Sequence, residues 1–500
     1  MDMHPDLPDP QLVIDCRRAD ALLRAGRSAE AANAYRDILV RDPTNADVWY
    51  NLGYVLKNLG RFEEALAAYQ RALQAGVSDP QEVHLNCAVI YADHLHNEAL
   101  AEQALRQALT ICPTYGPAWL NLGNLHEEHG DRSAAVACYE SVLRAGSGAD
   151  QGSRFRAIAR MAHLIPPEHV NDPRLVDLHA AATAAPDPEV QADLWFALGQ
   201  AYERLAATDP AFDAFTRANV CCRRQAPGYD PRGHERFVDA LIEKCRSPAP
   251  SRLPQAGPQP LFICGMFRSG STLLEQALAA HPLIGSAGEL DLLPRMVSGP
   301  LAPFPGSLAS TDESALTELA CGYLGQLRNL AGGDRRAVFL TDKRPDNFLL
   351  IGLIKQLFPQ AKILNTVRDP RDNGLSLFMQ HLDPRVAPYA TDLRDIGHYY
   401  KQYLRLMNHW RRLYPDAIHD VDYDALVSEP RDVLAAVLEF LGLDWWDGCL
   451  RFHERSNRVK TASYWQVRRP LYRDASGRWR RYEAHLRPLR QILEHDSPQP

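Results

Sequence analysis

A chain of 500 residues, 46% apolar and 23% charged, has room for about three domains and lies close to the average for folded proteins; a single small module, wholesale disorder and a fibrous repeat are excluded. The net charge of −7 is unevenly spread: residues 1–250 hold 24 Lys and Arg against 34 Asp and Glu, whereas residues 251–500 hold 31 against 28. Within 451–490, twelve basic residues face only Glu454, Asp474 and Glu483, which suits an anionic ligand rather than a long nucleic acid, a solvated basic face being the alternative. The ten cysteines are scattered, and the adjacent Cys221 and Cys222 lack the spacing of a zinc or redox site, so reduced, mostly buried thiols are expected. Met1–Pro10 is acidic and proline-rich, and no stretch approaches the length of a membrane span. A cytoplasmic protein with no membrane and no nucleic-acid partner is the expectation.

The first half repeats itself. Trp49-Tyr50-Asn51-Leu52-Gly53 recurs as Trp119-Leu120-Asn121-Leu122-Gly123, and Gly60, Ala65 and Tyr69 recur as Gly130, Ala135 and Tyr139, all displaced by 70. Two units of 34 plus a two-residue insertion account for that spacing. Tyr35, Gly26 and Ala31 mark an earlier unit closed by Pro43, and Trp195, Leu198, Gly199, Tyr202, Ala211, Phe215 and Ala218 mark a later one. Between them, a unit near 82–115 carries Cys87 where glycine is usual. The pattern resembles the tetratricopeptide family, in which small residues admit close helix contact and aromatics fill the gaps. That resemblance implies a concave surface for a peptide or protein partner, a purely structural array being the alternative. His126 and His129, three apart rather than four, read as a solvated helix face and not a metal site.

A proline-rich stretch from Arg246 to Pro260 breaks the helical pattern. The apolar strand Leu261-Phe262-Ile263-Cys264 follows, then Gly265-Met266-Phe267-Arg268-Ser269-Gly270-Ser271-Thr272 and a helical run from Leu273 to Ala280. Strand, glycine loop and helix make a phosphate site, because backbone N–H groups and the positive helix end attract an anion; the hydroxyls of Ser269, Ser271 and Thr272 add donors, a mere tight turn before a core helix being the alternative. Ser271 stands where a nucleotide triphosphatase needs lysine, which argues against a triphosphate. Val338–Thr341 is predicted as a second strand with Lys343 just beyond it. Lys362–Val367 is a third, ending in Arg368 and leading to a helix with Ser376, and a strand near Ala417–Val421 precedes Tyr423 and the amphipathic helix Pro430–Leu441. Arg368 and Ser376 thus fall where open α/β sheets collect ligands.

With these motifs in order, the second half resembles the sulfotransferase family, and most closely the tyrosylprotein sulfotransferases, whose donor is 3′-phosphoadenosine 5′-phosphosulfate (PAPS) and whose product is adenosine 3′,5′-bisphosphate. The resemblance spans roughly 258–485 and includes Ser463-Tyr464-Trp465-Gln466-Val467-Arg468-Arg469-Pro470 with Gly477-Arg478-Trp479. It implies that Arg268 binds and polarises the phosphosulfate within the loop Ser269-Gly270-Ser271-Thr272, that Glu289 is the catalytic base, and that Lys343 and Ser463 stabilise the transferred group and leaving phosphate. Arg368, Ser376, Tyr423 and Arg478 would hold the nucleotide; no metal is implied. Asp291 stands where the tyrosylprotein enzymes have arginine, although Arg295 retains their basic position. His281 receives no role beyond a helix-end histidine.

The expected fold is α + α/β: a tetratricopeptide solenoid over 10–245, a linker over 246–257 and a P-loop-like α/β domain with a central parallel sheet over 258–495. Cations aimed at developing charge and a positioned carboxylate are what sulfuryl transfer to a hydroxyl requires. The leading expectation, which the resemblance implies, is PAPS-dependent transfer to a hydroxyl of a peptide or protein gripped by the repeats, tyrosine included, with glycans and small alcohols open. The alternative is a repeat scaffold whose second domain binds nucleotide without turnover. A kinase would need a loop lysine and carboxylates for Mg²⁺.

Overall fold

The computed structural model describes residues 10–95, 97–145, 150–248, 257–331, 336–454 and 476–494. By contacts the chain divides into two compact units, Met1–Ala201 and Tyr202–Pro500.

The first unit is a run of antiparallel helix pairs, among them Ala46–Asn58 with Phe62–Gln74 and Gly116–His129 with Arg132–Arg144. A Cβ placed on Gly53 would lie 2.7 Å from the Tyr69 ring, and one on Gly123 would lie 2.5 Å from the Tyr139 ring, so the glycines set how closely each pair approaches. Trp49 Nε1 donates to the Pro43 carbonyl at 2.9 Å and Trp119 Nε1 to the Pro113 carbonyl at 2.8 Å, the same bond 70 residues on. The unit between them departs in a consistent way. Cys87 follows Gly53 by 34, whereas Ala101 follows Ala65 by 36, so the two extra residues lie between Cys87 and Ala101. There helix Pro80–Val89 widens into a π turn over Ile90–His94. Leu105 takes the place of the tyrosine and packs in the same cluster as Cys87, leaving room for a Cβ. His129 pairs with Glu98 on the helix surface.

Among the described residues of the second unit, five parallel strands form one sheet in the order β2-β3-β1-β4-β5: β1 Gln259–Gly265, β2 Ile284–Ser286, β3 Phe339–Lys343, β4 Lys362–Val367 and β5 Ile418–Asp422. The central strands are buried almost throughout, which is why they read as apolar runs. The chain leaves β1 toward β2 and leaves β4 toward β5, so the carboxyl ends of these neighbours open a crevice. Leu261, Ile263, Leu274 and Leu278 pack with Leu434 and Leu438 of helix Pro430–Leu441 on one side of the sheet.

Helices Thr208–Cys222 and Pro231–Lys244, which the repeat pattern placed in the solenoid, fall in the second unit. Phe212 stacks on Phe378 at 5.2 Å, Asn219 Nδ2 donates to the Phe378 carbonyl at 2.8 Å, and His409 Nε2 lies 2.8 Å from the Cys245 carbonyl. The apolar faces that would meet a next repeat are covered instead by this unit's own helices. The contact-based division thus differs from the sequence-based boundary of 246–257, because helical periodicity reports an apolar face and not what covers it.

Candidate active site

The loop after β1 is shaped by its backbone. Gly265 has φ +141°, and a Cβ there would lie 2.4 Å from the Thr366 carbonyl of β4; Gly270 has φ +103°, and a Cβ there would lie 2.5 Å from the Tyr423 ring. Arg268 itself adopts φ +68°, a conformation that side chains rarely take and that persists only where the surroundings impose it. The imposition is visible: Asn373 Nδ2 donates to the Phe267 carbonyl at 2.9 Å and Arg368 Nη1 to the Arg268 carbonyl at 3.1 Å. Helix Ser271–Ala279 then begins at the crevice, with Ser271 and Thr272 buried in its first turn.

Arg268, Arg368, Ser376 and Tyr423 are brought together. Arg268 Nε lies 3.3 Å from Ser376 Oγ on helix Pro370–Phe378, and the Arg368 guanidinium sits 4.6 Å from the centre of the Tyr423 ring. A cation over an aromatic face is attracted by the ring's quadrupole, which helps to hold Arg368 beside Tyr423. Ser269 turns inward, its hydroxyl 2.6 Å from both the Met266 carbonyl and Thr366 Oγ1, so it ties the loop to β4.

Beside this cluster, Lys343 ends β3 opposite Ile263 of β1, rather than lying past the strand, and its wholly buried ammonium pairs with Glu289. The Glu289 side chain is 37% exposed, so one carboxylate meets both the buried cation and solvent. Asp291, two residues on, pairs with Arg344 at 2.6 Å, and Arg344 also meets Asp346 at 2.7 Å. Burial raises the Asp346 carboxyl, with Arg344 opposing. Asp342 is fully buried, accepts from the Tyr323 hydroxyl at 2.6 Å and from Asn347 Nδ2 at 3.1 Å, and is pushed up to about 7 by burial.

Arg478 is engaged elsewhere: its Nε lies 2.6 Å from Glu203 Oε1, and Nη2 lies 2.9 Å from Glu203 Oε2 and 2.7 Å from Met379 Sδ. Its segment is docked by Asp372, which accepts from the N–H groups of Gly477 at 2.6 Å and Trp479 at 2.7 Å, while Arg371 stacks 3.7 Å from the Trp479 ring centre. Burial raises the Asp372 carboxyl, with those two backbone bonds opposing. Ser463 and its neighbours lie outside the described residues. His281 is buried, accepting from the Leu283 N–H at its Nδ1 and meeting the Asp444 carbonyl at its Nε2. Sequence reasoning passed over Asp372, Asn373 and Glu275; for Glu275 alone a signal was available, an acid inside a largely apolar helical run. Among the described residues no cluster of three or more His, Cys, Asp or Glu could hold a metal ion, and no helix is long and apolar enough to cross a membrane.

The sulfotransferase family model matches residues 260–447, the segment that carries this crevice. Residues 260–447 are a sulfotransferase-family domain. Tetratricopeptide models match 16–81, 56–116 and 118–152. An uncharacterized protein of Aquifex aeolicus (strain VF5) is 34% identical over 61% of this chain and 42% of its own length. A protein-tyrosine sulfotransferase of Drosophila melanogaster is 26% identical over 47% of this chain and 51% of its own. The chain thus spans about half the length of these relatives. The sulfotransferase domain from the Synechococcus PCC 7002 olefin synthase is 25% identical, covering 50% of this chain and 99% of that one with a TM-score of 0.35.

Proposed function

We propose that the chain transfers a sulfuryl group from PAPS to a hydroxyl of a peptide or protein held by the repeats. The observation that carries this reading is the juxtaposition, at the carboxyl ends of the neighbouring strands β1 and β3, of an anion-binding loop with the buried Lys343–Glu289 pair. The residues suit a nucleotide with more than one anionic group: the start of helix Ser271–Ala279 offers one set of donors, and Arg268, Arg368 and Ser376, which meet one another, offer a second. Serine in place of the loop lysine suits a phosphosulfate better than a triphosphate.

Bound PAPS supplies the sulfuryl group and a phosphate leaving group. Glu289 Oε1 or Oε2 takes the proton of the attacking hydroxyl, for which its partial exposure leaves access. Lys343, already buried and aimed at the same point, offsets charge developing on the group in transit, and Arg268 does so from the loop. Asp291, an acid paired with Arg344 where the tyrosylprotein enzymes carry arginine, disfavours an acidic acceptor at this point. Drosophila's relative is named for protein tyrosine; a tyrosine acceptor here fits the same chemistry.

Incubating the protein with labelled PAPS and cell extract tests the reading, with label on an extract protein as the expected result, unaffected by EDTA. Adenosine 3′,5′-bisphosphate should raise Tm, since a ligand at 100 times its Kd adds about 2.7 kcal/mol. A shift with ATP and none with the bisphosphate refutes the donor.

A further inference from the structure

Glu275 is an acid with no assigned task, buried at 2% exposure in the apolar run of helix Ser271–Ala279, just beyond Ser271 and Thr272. Its Oε1 accepts three hydrogen bonds: from the Ser286 hydroxyl at 2.9 Å, the Gly288 N–H at 3.1 Å and the Thr341 hydroxyl at 2.8 Å. A carboxylate withdrawn from water is costly unless such bonds replace its hydration, and here all three go to elements around the proposed base. Ser286 ends β2, Thr341 lies in β3 two residues before Lys343, and Gly288 immediately precedes Glu289.

Gly288 is itself held on both sides. Its N–H goes to Glu275, its carbonyl accepts from the Lys343 N–H at 2.9 Å, and its φ of +74° is one that few other residues adopt. With the backbone pinned at Gly288, the direction in which Glu289 leaves the turn is fixed toward Lys343. We propose that Glu275 is the positioning residue for Glu289: it ties the turn that carries the base to the helix that begins at the donor loop, so that base and donor site move as one piece. The inference rests on the reading of Glu289 as the base. Displacing a reacting group by about 1 Å can cost about 10²-fold in rate, which sets the size of the expected effect.

The test is a double-mutant cycle on the full chain, reading initial rates of label transfer from saturating labelled PAPS to cell-extract protein, with Tm and adenosine 3′,5′-bisphosphate affinity measured on each variant. Glu275→Leu is expected to lower the rate by roughly 10- to 100-fold with bisphosphate affinity within about threefold of normal, and Glu275→Gln, which keeps an acceptor oxygen, to restore most of it. In a Glu289→Gln background, Glu275→Leu is expected to cost nothing further, because a residue that acts only through another has no effect once that other is gone. Equal losses in both backgrounds overturn the positioning role. Unchanged activity in Glu289→Gln alone instead overturns the base assignment. If Glu275→Leu fails to fold, Ser286→Ala, which removes one of the three donors, is read through the same cycle with a smaller expected loss.

Discussion

Replacing Glu289 with glutamine separates three consequences that a simple acid would not combine. On the proposed reading of Glu289 as the base, the change removes the proton acceptor, for which general-base catalysis sets a loss of roughly 10²- to 10⁴-fold in turnover. It also strips the counterion from Lys343, whose side chain is wholly buried. Breaking a fully buried pair costs about 3–5 kcal/mol; because Glu289 is 37% exposed, water reaches one side of this pair and about 2 kcal/mol is the better figure. In a unit of this size that corresponds to a fall in Tm of roughly 3 °C. The third consequence has the opposite sign. With the carboxylate gone the crevice gains one positive charge, and an anion about 8 Å away at an effective dielectric near 20 gains roughly 2 kcal/mol before salt screening. Adenosine 3′,5′-bisphosphate should therefore bind at least as tightly, and up to about tenfold more tightly at low salt, to a protein that is less stable and nearly inactive. Scanning fluorimetry with and without the bisphosphate, alongside label transfer, reads all three. Turnover within a few-fold of normal, or weaker bisphosphate binding in a folded variant, refutes the reasoning.

Truncation should discriminate between the two domain boundaries. A chain beginning at Tyr202 is expected to fold and bind adenosine 3′,5′-bisphosphate while losing use of the natural acceptor; one beginning at Arg246 is expected to aggregate, since it loses Phe212, Asn219 and Cys245 from against Phe378, His409 and Gly352. Gly53→Ala should destabilise the repeat unit by about 1–3 kcal/mol, measured by denaturant unfolding, because its Cβ would press on Tyr69. Asp342 titrates near 7 when folded, above its usual 3.8, so the folded state binds its proton more tightly than the unfolded state: stability is full below about pH 4 and declines by ~1 kcal/mol per unit up to about pH 7. Asp342→Asn should flatten that slope, and an unaltered pH profile of Tm would show that Asp342 is not its source.

The repeat and the sheet were legible from local signals, because each depends on a period or a run that the chain itself carries. Glycine and aromatic spacing marked Gly53 with Tyr69 and Gly123 with Tyr139, and even the two extra residues of the third unit were countable before the π turn at Ile90–His94 located them. The strands β1 and β4 and helix Pro430–Leu441 stood out as uninterrupted apolar or amphipathic segments, whereas the three-residue edge strand β2 is too short to leave a pattern. Motif order placed Arg268, Glu289, Lys343, Arg368, Ser376 and Tyr423 in one domain. Only the tertiary structure decided which of them meet: Lys343 with Glu289, Arg268 with Ser376, and Arg478 with Glu203. It also decided that Ser269 faces inward, that helices Thr208–Cys222 and Pro231–Lys244 belong with the second unit, and that Glu275 holds the turn before Glu289. The pairings of Lys343 with Glu289, Arg268 with Ser376 and Arg478 with Glu203 join residues from 54 to 275 positions apart, and no local period can encode them; they follow from strand order and helix packing, which set the partner that each buried charge or apolar face finally finds.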